Sequence, residues 1–123
     1  MRSEQDVQRR VRPGRAITGM SAVLLPYTPA GDIDWVATEA HVARTAAAGL
    51  TPAVNMDTGY VQLLGEADKR RVLDVTAEVT GGDFVAGAYV ADEPGARFDL
   101  AGHLRACEAI SERGGTPVVF PSH

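Results

Sequence analysis

The sequence predicts an α/β fold of parallel strands joined by crossover helices, because short apolar runs alternate with longer segments of helical periodicity. The pattern repeats along the chain. Three glycines that follow the helical segments, Gly49, Gly82 and Gly115, are spaced 33 residues apart, and a fixed interval of this kind is typical of a repeated βα unit. Parallel strands need helices on the sheet faces, which leaves a closed barrel or an open doubly wound sheet as the common solutions.

The repeat predicts four strands and three helices after residue 16. The apolar runs cover 20–25, 52–56, 84–90 and 117–120, and the helical segments cover 35–48, 66–80 and 100–113. Asp34 and Asp99 are suited to accept hydrogen bonds from first-turn amides, and glycines follow each helix. We expect two buried helix stripes from residue spacing: Val36, Ala40, Ala43, Ala47 and Leu50 on the first helix, and Leu100, Leu104, Cys107 and Ile110 on the third.

Eight such units would need about 260 residues, close to the usual length of an eight-stranded (β/α)8 barrel. The 123 residues therefore hold about the first three and a half βα units of a partial barrel. We expect residues 1–15, which are rich in arginine, to form a disordered extension, and residues 16–123 to form the N-terminal half of the barrel. An open flavodoxin-like nucleotide binder would need a glycine-rich phosphate loop after the first strand, and Pro26-Tyr27-Thr28-Pro29 is a poor substitute.

Composition narrows the classes of function. The net charge of −4 offers no broad basic surface, so we expect no nucleic-acid partner and no membrane partner. Cys107 is the only cysteine and cannot form an internal disulfide, which suits a cytoplasmic protein. No apolar run approaches the roughly 18 residues of a membrane span, and no apolar core of a signal peptide follows the N-terminal charges.

Function in either architecture lies beyond the carboxyl ends of the strands. The segment from Asn55 to Tyr60 follows the second predicted strand and offers a hydroxyl and a glycine, whose side-chain and backbone donors can converge on the carboxylate of a small acid. The same residue types also make ordinary turns. Both interpretations remain open on the motif alone.

Several motifs, in order and at matching spacing, resemble the dihydrodipicolinate synthase and N-acetylneuraminate lyase family over residues 17 to 123. The segment 19–34 is similar to the family's opening strand and helix start, and Asp57-Thr58-Gly59 with Leu63-Leu64-Gly65-Glu66 resembles its Thr-Thr-Gly-Glu loop. Ala86-Gly87-Ala88 resembles the third strand, and Phe120-Pro121 the fourth.

The resemblance implies a barrel enzyme that forms a Schiff base between a lysine and a 2-oxo acid, often pyruvate, and makes or breaks a carbon–carbon bond. It matches Thr58 to the threonine that binds the acid's carboxylate, and Gly59 to the glycine beside it. Asp57 stands where the family has the first threonine of a proton relay, and Tyr60 replaces the glutamate. Ser122 and His123 stand where many members have two tyrosines. We therefore expect Asp57, Thr58, Gly59, Ser122 and His123 to bind substrate, with a substrate or reaction that differs from the family's usual one.

The family's lysine lies on the sixth strand, which has no counterpart among the four predicted strands. The single lysine, Lys69, falls in the first turns of the second helix beside Arg70, so we expect a solvated side chain and no Schiff base. We expect no cofactor and no metal ion, since His41 and His103 lie on helices without metal-spaced partners.

The sequence supports two alternative functions. The first is a lyase or aldolase fragment that acts on a 2-oxo acid and lacks the nucleophile. The second is a noncatalytic βα module, or degenerate gene product, that acts only as an assembly partner. In either case an unclosed half-barrel exposes strand edges and apolar side chains, so we expect a homo-oligomer or pairing with a second half-barrel.

Overall fold

The computed structural model describes residues 3–120 and contains one parallel sheet of four strands. The elements in chain order are α1 (Glu4–Gln8), β1 (Met20–Ala22), α2 (Trp35–Ala47), β2 (Thr51–Val54), α3 (Glu66–Thr80), β3 (Val85–Ala88), α4 (Leu100–Ser111) and β4 (Thr116–Val119). Two single-turn 3-10 helices, Asp57–Gly59 and Val61–Leu63, connect β2 to α3. The strands lie side by side in the order β1-β2-β3-β4, and every neighbouring pair is parallel. The predicted number of strands and their parallel direction are confirmed.

All three crossover helices pack on one face of the sheet. A single buried cluster joins Val42 of α2, Val72 of α3 and Ile110 of α4 to strand residues that include Val54 and Ala86. An open doubly wound sheet would place helices on both faces. Helices on one face, with strands in sequential order, are the arrangement of a (β/α)8 barrel segment.

The helix boundaries follow the capping residues. The Asp34 carboxylate accepts from the Ala37 amide at 2.9 Å, and Asp99 does the same for the Gly102 amide at 2.9 Å. Gly81 ends α3 in the left-handed conformation, with a φ of 65°. These caps satisfy backbone groups that a helix end leaves without partners, and they confirm the predicted starts of α2 and α4.

The predicted buried stripe of α2 is wrong. Val36, Ala43, Ala47 and Leu50 are exposed, and Ala40 is only partly buried. The helix instead buries Thr38, Val42 and Thr45. The Thr38 hydroxyl donates to the Asp34 carbonyl at 2.7 Å and the Thr45 hydroxyl to the His41 carbonyl at 2.9 Å. A threonine whose hydroxyl is satisfied within its own helix presents its methyl group to the core, so counting apolar residues alone missed this face.

The predicted stripe of α4 is correct only in part. Ile110 is fully buried and Cys107 packs partly against the core, as expected. Leu100 and Leu104 are exposed. Gly102, Ala106 and Ala109 lie toward α3, where Arg113 bonds Asp74 at 2.6 Å. On a helix, Leu100, Leu104 and Cys107 fall on the side away from α3. Among the described residues, no other element covers Leu100 and Leu104 on that side.

The N-terminal stretch contains the short helix α1, capped by Ser3 and without a buried residue. The expectation of a disordered extension stays a prediction. Within residues 3–120, no helix combines the length and the apolar character that crossing a bilayer requires.

Burial in the shared core predicts which valines matter for stability. Val54 is 1% exposed in the centre of the core, whereas Val36 on α2 is 82% exposed. We expect Val54→Ala to lower the free energy of unfolding by about 2 kcal/mol, from lost apolar burial and the cavity left behind. The matched control Val36→Ala should change it by less than about 0.5 kcal/mol. Chemical denaturation of both variants checks this, and equal losses would contradict the placement of the core.

Candidate functional site

The carboxyl ends of β2 and β3 carry two adjoining features, a tight turn after β2 and a cavity beside it. The turn holds the predicted site residues Asp57, Thr58 and Gly59. The cavity opens between α3 and α4 and is lined by residues that the sequence did not assign to a site. Both lie at the end of the sheet where barrel enzymes place their chemistry.

The predicted site residues 57–59 form a 3-10 turn directly after β2. The Gly59 amide donates to the Met56 carbonyl at 3.0 Å, and the Tyr60 amide donates to the Asp57 carbonyl at 2.9 Å. Tyr60 closes the turn in the left-handed conformation, with a φ of 57°. The amides of Asp57 and Thr58 open the turn and, within the described residues, donate to no protein acceptor.

Gly59 is buried because it packs against the end of β1. A Cβ atom placed on it would lie 3.3 Å from the carbonyl oxygen of Val23. That distance is tight for a side chain, so glycine lets the turn sit close to the first strand. This contact fixes the position of Thr58 relative to the sheet.

Thr58 and Asp57 are both exposed, so their side chains are open to a ligand. Within residues 3–120, the Thr58 hydroxyl makes no hydrogen bond to the protein. One hydroxyl and two backbone amides are therefore available to an anion at this turn. The Asp57 carboxylate lies on the same turn and opposes the binding of a second negative charge.

Asn55 was not assigned to the site, yet both its backbone and its side chain are constrained. Its φ of 51° is left-handed, a conformation that asparagine tolerates better than most residues. It is 6% exposed, and its Nδ2 donates to the Lys69 carbonyl at 3.2 Å. Its buried Oδ1 has no partner among the described residues. The signal in the sequence was an asparagine in the first position after a buried strand.

The cavity beside Asn55 has a volume of about 410 Å³. Its wall combines cationic, anionic and aromatic side chains from α3, α4 and the end of β3: Glu66, Lys69, Arg70, Tyr89, Asp99 and Arg105. No periodic pattern in the sequence marks this group, because the residues come from three separate elements.

The expectation that Lys69 is solvated is wrong. Its side chain is 17% exposed, and its ammonium bonds the Glu66 carboxylate at 2.8 Å. The ammonium also lies 5.5 Å from the ring centroid of Tyr89. The interior of the cavity wall, rather than bulk water, surrounds most of the side chain.

The hydrogen bond from Lys69, together with its positive charge, holds the pKa of Glu66 below its usual value. Arg70 adds to this effect, and the slight burial of the carboxyl opposes it. The Glu66 carboxylate is therefore ionised at neutral pH. A lysine amine acts as a nucleophile only when it is unprotonated, so the ion pair works against imine formation by Lys69.

His103 and Trp35 make structural contacts rather than facing the candidate site. His103 is buried, with Nδ1 at 2.8 Å from the Asp99 carbonyl and its ring stacked on Phe98. Trp35 packs at the start of α2, where the Arg71 guanidinium lies 4.3 Å from its ring centroid. Among the described residues, no three His, Cys, Asp or Glu side chains gather as a metal site. Ser122 and His123 lie outside the described residues.

Comparisons with known proteins bear on the fold. No family model matches the sequence, and no curated protein matches it. A solved structure described as "a putative dihydrodipicolinate synthetase from Pseudomonas aeruginosa" is similar over 88% of this chain, with a TM-score of 0.70 and 18% sequence identity. This chain spans 37% of the length of that protein. At this identity the likeness shows a shared fold, and it agrees with a partial barrel of the type that the sequence motifs resemble.

The ion pair predicts that Lys69 stays unmodified by 2-oxo acids. We expect incubation with pyruvate and borohydride, followed by peptide mapping, to yield no stoichiometric adduct on the peptide that contains Lys69. Lys69→Arg is the matched control. It removes the single lysine, so any adduct that this variant forms must lie on the N-terminal amine. A full adduct on Lys69 that is absent from this variant would show that the residue acts as a Schiff-base lysine.

Proposed function

We infer that this chain is the part of a dihydrodipicolinate synthase-like lyase or aldolase that binds the carboxylate of a 2-oxo acid such as pyruvate. The shared fold and the ordered family motifs support this function. In the proposed reaction a lysine on a strand outside this four-stranded sheet forms the Schiff base. The chain contributes binding and orientation, and by itself it is inactive.

The single observation that carries the proposal is the turn at Asp57–Gly59. Its two leading amides and the Thr58 hydroxyl lack protein partners within residues 3–120, and they follow the carboxyl end of a central strand. Several donors directed at one anion bind it more strongly than a single contact does, as in the oxyanion sites of acyl-transfer enzymes. Gly59 holds these donors close to β1, which places them at the mouth of the sheet.

Asp57 separates this proposal from the usual family reaction. An exposed carboxylate on the anion-binding turn weakens the binding of a simple 2-oxo acid and favours a substrate that also carries a hydrogen-bond donor. Asp57 accepts from such a donor while Thr58 holds the carboxylate. Ser122 and His123 complete the proposed substrate-binding set by their resemblance to the family's two tyrosines.

A second function, the noncatalytic assembly partner, draws support from a different observation. The outer edges of β1 and β4 are unpaired in the described sheet, and they carry exposed apolar side chains. A module that acts only by association needs these edges and has no need of the Thr58 turn. A cytoplasmic location fits either function, since Cys107 has no internal cysteine partner.

Removal of the Thr58 hydroxyl tests the proposed function. We expect Thr58→Val to weaken pyruvate binding by about 1 kcal/mol, the usual net contribution of one hydrogen bond, in a ligand-observed NMR titration. Thr116→Val is the matched control, because Thr116 is also exposed but begins β4 at the opposite end of the sheet. Its affinity should equal that of the parent chain.

Three results would contradict the proposal. Equal affinity of the parent and Thr58→Val would leave Thr58 as a turn residue. Equal loss in both threonine variants would indicate nonspecific association. If no 2-oxo acid binds the parent chain at all, the assembly function becomes the better account.

A further inference from the structure

The exposed large apolar residues of this chain are not spread evenly over its fold. Within residues 3–120, none of them lies on the central elements β2, β3 and α3. The outward positions of α3 are mostly charged, as expected of a surface helix. Two separate groups lie at the sheet edges: Ile17, Met20 and Leu24 at β1, and Phe98, Leu100, Leu104 and Val119 at the β4–α4 edge.

The β1 edge also presents unpaired backbone groups. The Thr51 amide donates to the Gly19 carbonyl and the Val23 amide to the Ala53 carbonyl, so odd-numbered residues of β1 bond β2. Alternate residues of a parallel strand bond opposite neighbours. The amides and carbonyls of Met20, Ala22 and Leu24 therefore face the free edge.

The β4 edge follows the same alternation. The Thr116 amide donates to the Phe84 carbonyl, which directs the backbone groups of Pro117 and Val119 away from β3. Proline has no N–H and is tolerated at a position of this kind. The edge thus offers two carbonyls and one amide beside the exposed side chain of Val119, and Leu104 of α4 is 59% exposed on the same side of the fold.

The surface area of the chain also indicates that part of its surface is left uncovered. The accessible surface is 8569 Å², against the roughly 6,300 Å² expected for a compact monomer of 13.0 kDa. The exposed stretch before β1 and the apolar side chains exposed on the two edge strands both contribute to this excess. Stable homodimers commonly bury areas of the order of 2,000 Å² or more.

We propose that two copies of this chain join edge to edge, with the β4–α4 edge of each copy against the β1 edge of the other, to close an eight-stranded parallel barrel. Each copy carries one edge of each kind in a sheet of uniform strand direction. A twofold axis therefore satisfies both edges of both copies at once and leaves no free edge. Four strands from each copy give the eight of a closed barrel.

The test of this dimer reads association alone, so it succeeds or fails separately from the test of 2-oxo acid binding. A barrel closed by two copies has no place for the further strand whose lysine forms the Schiff base in the proposed reaction, so this dimer is a form that binds the acid without catalysis. It has a consequence for the candidate site, however. In a closed barrel the Thr58 turn of one copy opens toward the same interior space as that of its partner.

Two edge variants test the arrangement. Leu104→Glu places a charge on α4 beside the β4 edge. Met20→Lys places one on β1, on the sheet face opposite the helices, which a closed barrel would bury. By analytical ultracentrifugation we expect the parent chain to be a dimer, and each variant to dissociate with a dimer dissociation constant raised by roughly a hundredfold. Leu63→Glu is the matched control, because Leu63 is exposed but lies in the connection between β2 and α3, away from both edges. It should remain dimeric.

Mixing the two edge variants separates the proposed arrangement from others. Each variant homodimer has two interfaces with one altered edge, whereas the mixed dimer has one interface with two altered edges and one that is entirely native. Mixing should therefore restore dimers, and this recovery also shows that both variants fold. A parent chain that stays monomeric at micromolar concentration would overturn the proposal. So would edge variants that remain dimeric, or a mixture that stays dissociated.

Discussion

The parallel pairing of four strands is the constraint on which the rest of this structure depends. Each parallel connection needs a crossover, and here every crossover is a helix on the same face of the sheet. The helices cover one face with a shared core, while the sheet ends at β1 and β4 with unpaired backbone groups. The same pairing brings the carboxyl ends of β2 and β3 together and places the Thr58 turn beside the cavity. Fold, open edges and candidate site are thus consequences of one topology.

The repeat and the helix caps made the fold predictable from sequence, because a glycine after a helix and an aspartate before one act locally. It was harder to predict which residues of each helix face the core. On α2, Thr38 and Thr45 are buried by bonding their hydroxyls within the helix, and an apolar count cannot detect this. On α4, Leu104 follows the apolar pattern but faces the open edge. Apolar periodicity indicates which residues avoid water, and it does not tell whether the surface that covers them belongs to the same chain.

The candidate site was predicted only where its residues are consecutive. The turn at residues 57–59 follows from local motif and strand position, and the structure describes it there. The cavity wall could not be predicted, because Lys69, Tyr89 and Arg105 come from different elements and meet only through packing. The environment of Lys69 shows how local sequence and packing can differ. Its neighbours in sequence indicate a solvated cation, whereas in the fold its side chain is 17% exposed and its ammonium bonds Glu66 near the ring of Tyr89.

The central functional claim is that the turn after β2 binds the carboxylate of a small acid, and backbone amide chemical shifts report on it most directly. In a 15N-labelled sample titrated with pyruvate, the account predicts saturable shifts at the amides of Asp57 and Thr58, the two turn amides that lack a protein acceptor within residues 3–120. Residues at the amino end of β4, such as Thr116, should not move. Saturable shifts confined to α3 and α4, or none at the turn, would contradict the account.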